Sequence, residues 1–471
     1  MLSFLRKLEI DLPAAALACG VLVLASFLIV RESILPANLY LLVFAAGGVY
    51  CLWIRRPEIF LGAFIAYLPL CKLLHGDRDI SHFLIGLHFI TALGLLAVFT
   101  AAGRKDKTAP GAEEVWIRRL LAALLSLQIL SILSGWAYGL SYLQTAAWSW
   151  VEGWGTPVIV FFAVSQAAKD PRCRRTLVVI MMAAVMMVVL LLLREHLEIG
   201  ETGSFDRSRA AGIAGEPNMT ASFINLSVFL FAGLFLYFWK RPLAWAGAFA
   251  SLLGFRGIMV TYSRGGYLGF AAGLLALSFY RSKILFLILL AAAGIAVLKP
   301  AYLPAPIRAR VEATFEHKAH GEVGLEKSAG DRVLIWRGAL RLIREYPVFG
   351  TGFDLFEKRV APFWSGTRPF NAHNAYLMVA AETGIPSLVI FLSLLGLFFK
   401  SAQRLMTETK DLQVKGVCLG FLAGLSAFMM QNLYIDSFSW QEVSLYLWVM
   451  IAVIGAALAG MNKKVSAEVP S

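Results

Sequence analysis

The chain has 471 residues, 59% of them apolar and only 15% charged, with a formal net charge of +13. Soluble proteins average roughly 45–50% apolar and about 25% charged residues, so this composition excludes an ordinary soluble enzyme and points to a lipid environment. The basic residues fall in small groups between apolar runs, so much of the positive balance reads as a topology signal and not as a nucleic-acid surface.

In chain order, apolar stretches able to cross a hydrocarbon core of about 30 Å fall near 12–30, 36–54, 58–74, 82–101, 120–140, 151–168, 176–193 and 217–239. Others follow near 242–262, 266–280, 284–299, 385–399, 414–432 and 442–460. The expected fold is an all-α polytopic membrane protein with 12–14 transmembrane helices. The first stretch follows Arg6 and Lys7 and ends in "SFLIVRES" without a small-residue cleavage site, so it is expected to be retained.

Lysine and arginine accumulate in cytoplasmic loops. Arg55 and Arg56, Arg174 and Arg175, Lys240 and Arg241, and Lys463 and Lys464 then mark the inner face, and both termini are expected to be cytoplasmic. The opposite loops are sparse in positives until residue 299. This divides the chain into a first membrane bundle at 1–299, an external, mostly helical domain at 300–384, and last membrane helices at 385–471. Cys19, Cys51, Cys71, Cys173 and Cys418 lie in spans or on the inner side, which suggests no disulfide or metal framework. Glycines four apart in apolar runs, Gly269 with Gly273 and Gly420 with Gly424, are expected to let helices approach closely.

Candidate chemistry gathers on the external side. In "SFDRSRAAGIAGEPNMTAS", Arg207 and Arg209 precede Glu216, Pro217 and Asn218, where proline opens a helix whose free N–H groups favour anions. Arg264 sits at the external boundary of two apolar runs in "YSRGGYLG". Arg256 lies eight residues earlier, and with the two side chains about 80° apart on a helix they are placed to line one cleft. An ionisable group at membrane depth costs roughly 2.5–3.5 kcal/mol, so each asks for a role.

"DRVLIWRGALRLIREYPVFGTG" reads as an amphipathic helix beginning near Arg332. Val333, Trp336, Leu340 and Ile343 form its apolar stripe, Arg337, Arg341 and Arg344 a basic one, and Pro347 its stop. In "FNAHNAYLMVAAETGIPSLVIFL", a helix running from residue 373 would turn His373 and Glu382 to opposite faces and leave Asn374 and Glu382 about 80° apart. Glu382 is then a capping or pairing carboxylate before it is a partner for His373. A neutral His373 beside arginines, which would hold its pKa down, is suited to removing a proton from a hydroxyl. The pair His317 and His320 lacks a third ligand in spacing, so no metal is expected.

Taken in order, "SFDRSRAAGIAGEPNMTA", "YSRGGYLGF", "DRVLIWRGALRLIREYPVFGTGFDLF" and "HNAYLMVAAETGIPSL" resemble the O-antigen ligase and polymerase superfamily, most closely an O-antigen ligase, across roughly 205–395. Glu216 departs from the asparagine common in the family's Asn-Pro-Asn turn. The resemblance implies a GT-C-like glycosyltransferase of the bacterial inner membrane. It would move a glycan from undecaprenyl pyrophosphate to lipid A-core oligosaccharide at the periplasmic face, with inversion and without metal or cofactor. It also implies His373 as the catalytic base, Arg264 near the pyrophosphate, and Arg207 or, in preference, Arg209 as the loop arginine; Asn218, Arg332, Asn374 and Glu382 are further candidates around the substrate. A polymerase or a protein O-oligosaccharyltransferase would use the same donor. A flippase for lipid-linked sugars is the reading from another class; it predicts paired repeats and ionisable residues on both sides of the membrane, whereas here they gather at one face.

Overall fold

The computed structural model describes residues 10–30, 46–51, 53–75, 81–103, 112–200, 208–313, 315–317, 323–325, 327–363 and 371–468. The chain opens with α1 (Leu12–Val30), α2 (Pro57–Tyr67), α3 (Cys71–His75), α4 (Ser81–Gly103) and α5 (Ala112–Ser134). Next, α6 (Leu140–Trp150) continues through a π-helical turn at Val151–Gly155 into α7 (Thr156–Ala167). Then come α8 (Pro171–Ile199), α9 (Pro217–Phe238), α10 (Ala244–Val260), α11 (Arg264–Arg281) and α12 (Lys283–Leu298).

Beyond the membrane helices lie α13 (Ala305–Glu312), an antiparallel hairpin of β1 (Phe315–His317) and β2 (Val323–Leu325), α14 (Lys327–Glu345) and α15 (Phe356–Val360). The chain returns through α16 (Ala375–Thr383), α17 (Ile385–Glu408), α18 (Leu412–Gln431) and α19 (Gln441–Glu468). The hairpin is a small departure from the expected all-α architecture.

Among the described residues, nine helical segments are long and apolar enough to cross a membrane, and the chain is a polytopic helical membrane protein. The expected 12–14 exceeds this number for identifiable reasons. The stretch 36–54 lies mostly outside the described residues, 151–168 is a π-helical turn followed by the short α7, α10 and α12 are shorter apolar helices, and α11 opens on a polar, glycine-rich turn. The stretch placed near 120–140 is a helix at 112–134, displaced because Glu113, Glu114, Arg118 and Arg119 ride on its first turns.

The bundle centres on α18, which packs along α9 and α11. Small residues allow this. A Cβ on Gly424 would lie 2.1 Å from the Leu226 carbonyl oxygen, and one on Gly420 would lie 2.5 Å from that of Phe229. Gly269 and Gly273 likewise press on Ala427 and Phe229 from α11, as their spacing suggested.

A second, smaller core gathers Ile335, Ala339, Leu342, Phe356, Val360, Ala372 and Ala381. It differs from the stripe read in the sequence: Val333 and Leu340 are exposed, whereas Ile335, Ala339 and Leu342 face inward. Ile343 of the expected stripe still packs against this core, so the inward face is shifted by about one residue from the stripe.

Candidate functional site: an arginine-lined cleft beside a buried histidine

The cleft is built from chain segments far apart in sequence. Arg209, Asn218, Tyr262, Ser263, Arg264, Gly265, Arg310, Arg332, Gln431, Tyr434 and Ile435 line it. Among the described residues that line it, four are arginines and none is a carboxylate, so this lining is basic.

Two helix starts converge here. Glu216 caps α9 by accepting the Met219 N–H at 2.9 Å, and it also accepts from Asn218 Nδ2 at 2.7 Å. Glu216, the departure noted in the sequence, is thus the N-cap of α9. Ser263 caps α11, its Oγ accepting the Gly266 N–H at 3.2 Å while donating to Asn218 Oδ1 at 2.8 Å. The positive ends of two helix dipoles thus lie beside the guanidinium groups, an arrangement that favours an anion.

Arg209 is fixed in two directions, its Nε donating to the Thr261 carbonyl at 2.9 Å and its Nη2 to Asn218 Oδ1 at 3.0 Å. The far wall comes from α18: Gln431 Nε2 donates to the Asn218 carbonyl at 2.9 Å, and Asn225 Nδ2 donates to Gln431 Oε1 at 2.7 Å. Between Thr261 and Ser263, Tyr262 takes φ 49°, a left-handed conformation unusual for a non-glycine residue, and this ends α10 sharply enough for α11 to begin two residues later.

His373 stands beside the cleft without lining it. Asn374 Oδ1 accepts the N–H groups of Tyr376 and Leu377 at 3.0 Å, so α16 starts at Ala375. His373 precedes the helix with φ 47°, which corrects the assumption of helix from residue 373 and removes the rotation argument for its direction. Its short loop is pinned on both sides. Trp336 Nε1 donates to the Ala372 carbonyl at 2.8 Å, and the Ala375 N–H donates to the Asn432 carbonyl at 2.9 Å, on the turn that also carries Tyr434 and Ile435.

His373 Nδ1 is buried and finds no hydrogen-bond partner among the described residues. Burial, and secondarily the Arg332 guanidinium, push its pKa down to about 4, so the imidazole is neutral at physiological pH. A strained backbone and an unsatisfied buried nitrogen are costs that functional sites commonly carry.

The structure thus brings Arg209, Asn218, Arg264 and Arg332 together at one cleft with His373 next to it. Arg207 lies outside the described residues. Asn374 spends its side-chain oxygen as a helix cap. Glu382 is buried at 8% exposure and accepts from the Phe356 N–H at 3.4 Å, away from the cleft; burial and the nearby Asp354 raise its pKa. Arg256 is exposed on α10 and does not reach the cleft.

Sequence reasoning passed over Arg310, Gln431 and Tyr434. Arg310 was hidden in a segment rich in basic residues. The only signal for Gln431 was a polar "QN" pair ending an apolar run, a position where polar groups at membrane depth mark function.

Fold and site define a class: a polytopic helical membrane protein with an arginine-lined cleft and an adjacent neutral histidine at one end of its bundle. Residues 249–392 match the family model described as O-antigen ligase, which places this segment in the O-antigen ligase and polymerase superfamily and supports an activity of that type. The matched segment carries Arg264, Arg310, Arg332 and His373, whereas Arg209, Asn218, Gln431 and Tyr434 join the site from outside it. No curated protein matches the chain.

Proposed function

We propose that the protein is an O-antigen ligase, a GT-C-like inverting glycosyltransferase that moves a glycan from undecaprenyl pyrophosphate to lipid A-core oligosaccharide at the periplasmic face of the inner membrane. One observation carries this reading: four arginines and two helix starts converge on one cleft with a buried, neutral histidine beside it.

The donor's diphosphate occupies the cleft. As the anomeric bond breaks, negative charge grows on the leaving diphosphate, and planar guanidinium forks already in place stabilise it bidentately without reorganising. Arg209 and Arg264 hold it from the α9 and α11 ends and Arg310 and Arg332 from the external segment. Asn218 positions Arg209 and Ser263. The guanidinium groups supply positive charge where a divalent cation would otherwise serve, so the reading is metal-independent.

His373 removes the proton from the acceptor hydroxyl, which attacks opposite the leaving group. A pKa of about 4 makes the imidazole a weak base in the empty site. When the diphosphate enters, its charge offsets Arg332 and the imidazole becomes more basic at the moment it is needed. Asn374 and Glu382 support the loop through the cap of α16 and the contact with Phe356. Arg207, outside the described residues, is assigned to the same donor only from its sequence position two residues before Arg209.

The assignment is tested by incubating purified protein with undecaprenyl pyrophosphate-linked glycan and lipid A-core. A glycan-bearing lipid A-core is expected. Lengthened lipid-linked chains would replace the ligase with a polymerase, and modification of an added protein acceptor would indicate an oligosaccharyltransferase.

A further inference from the structure

The opposite end of the bundle holds a second site of different chemistry. Between α8, α9, the start of α10, α18 and α19 lies a cavity of about 810 Å³, within the range of small-molecule sites. Met182, Met186, Phe235, Val417 and Ile454 are typical of its walls. Among the described residues, the charged ones that line it are Arg174, Arg175 and Arg241, and no described carboxylate does.

These arginines sit at one end. Arg174 and Arg175 are in the opening turns of α8, and Arg241 is in the turn before α10. Near its other end, α8 presents Glu195, which accepts the N–H groups of Ala211 and Gly212 at 2.9 Å beside the arginine-lined cleft. The 21 residues from Arg174 to Glu195 rise about 32 Å, close to the thickness of a hydrocarbon core. The slot therefore opens at the membrane surface opposite the cleft, with cations at headgroup level and an apolar length below them.

Asp170 and Asp411 flank these arginines without lining the slot. Arg174 Nη1 donates to the Ala168 carbonyl at 3.0 Å, and Arg175 approaches Asp411 at 3.4 Å. A soluble anion would use only the polar end of such a slot; a molecule with an anionic phosphate and acyl chains complements all of it.

We propose that this slot binds an anionic glycerophospholipid from the leaflet opposite the cleft, with its phosphate on Arg174, Arg175 and Arg241 and an acyl chain along α8 and α18. The lipid bridges helices whose far ends build the catalytic side, so its binding stabilises the folded bundle by mass action.

The test is native mass spectrometry of the full chain released from nanodiscs of phosphatidylcholine alone, of phosphatidylcholine mixed equally with phosphatidylglycerol, and of phosphatidylcholine with soluble glycerol phosphate. Phosphatidylglycerol is expected to stay bound in preference to phosphatidylcholine and to raise the melting temperature, with glycerol phosphate doing neither. Arg174→Gln and Arg241→Gln should each weaken retention by about fivefold, and Ala183→Trp, which fills the apolar wall, should lower it with every arginine intact. Equal retention of the two lipids by the unmodified protein, or equal protection by glycerol phosphate, would overturn the proposal. The lipid comparison requires no variant, so a substitution that fails to fold does not shelter it.

Discussion

Arg332→Gln offers a quantitative check on the state of His373. Burial and the Arg332 charge together bring the imidazole from 6.5 to about 4, a difference worth roughly 3 kcal/mol between its protonation states. Burial is the larger cause, so Arg332 supplies at most about half. Removing it should raise the pKa to about 5 and not to the unperturbed value near 6.5. A protonated imidazole cannot accept the acceptor's proton, so activity is lost as pH falls through this pKa. The assay is kcat/KM for glycan transfer across pH 3.5 to 8 in nanodiscs, because that ratio reports the free enzyme. The acid limb should lie near pH 4 in the unmodified protein and near pH 5 in Arg332→Gln, above a lower plateau. The acid limb of kcat, which reports the loaded enzyme, should lie above that of kcat/KM because the bound diphosphate offsets Arg332. A limb near pH 6.5 that Arg332→Gln leaves in place would refute the reasoning.

Other substitutions separate chemistry from architecture. Arg264→Ala should abolish most transfer and Arg264→Lys should rescue it poorly, since an ammonium cannot grip a diphosphate bidentately; comparable activity of lysine and arginine in the same assay would contradict this. Gly424→Ala drives a methyl against the Leu226 carbonyl and should cost about 1–3 kcal/mol, read as a lower melting temperature in detergent. Lys72 Nζ lies 3.3 Å from Glu442, which is 2% exposed, and 3.6 Å from Glu152. Lys72→Met should therefore destabilise by about 3–5 kcal/mol, with partial recovery when Glu442→Gln is added. The carboxyl of buried Asp436 is pushed up to about 6, so the folded state binds more protons than the unfolded one between roughly pH 4 and 6 and is penalised above that window. Asp436→Asn should gain about 1–3 kcal/mol of stability at pH 7.5, a gain that shrinks as pH falls towards 4.

Local features were readable from the residues alone. Apolar length located the membrane helices, glycine spacing located the close contacts of α18, and Pro217 marked the opening of α9. The convergence of distant segments was not readable. The Gln431 to Ile435 turn reaches the cleft because α18 packs along α9 and α11, and Arg310 because α13 packs on α10 and α11, tertiary facts without a local signature. Asn374 was read as one of a pair with Glu382, yet its side chain caps α16 and sets His373 off in a left-handed turn. Position beside His373 in the sequence thus conveyed less than the backbone it enforces. Arg256 looked costly at membrane depth and proved to lie on the outer face of α10, where its long side chain can extend along the helix.

The most direct measurement is transfer by His373→Ala in a reconstituted system holding undecaprenyl pyrophosphate-linked glycan and lipid A-core. The account predicts product with the unmodified protein, a loss of about 10²-fold or more in the variant, and unchanged donor binding, because the arginines of the cleft remain. Full-rate transfer by His373→Ala would contradict it.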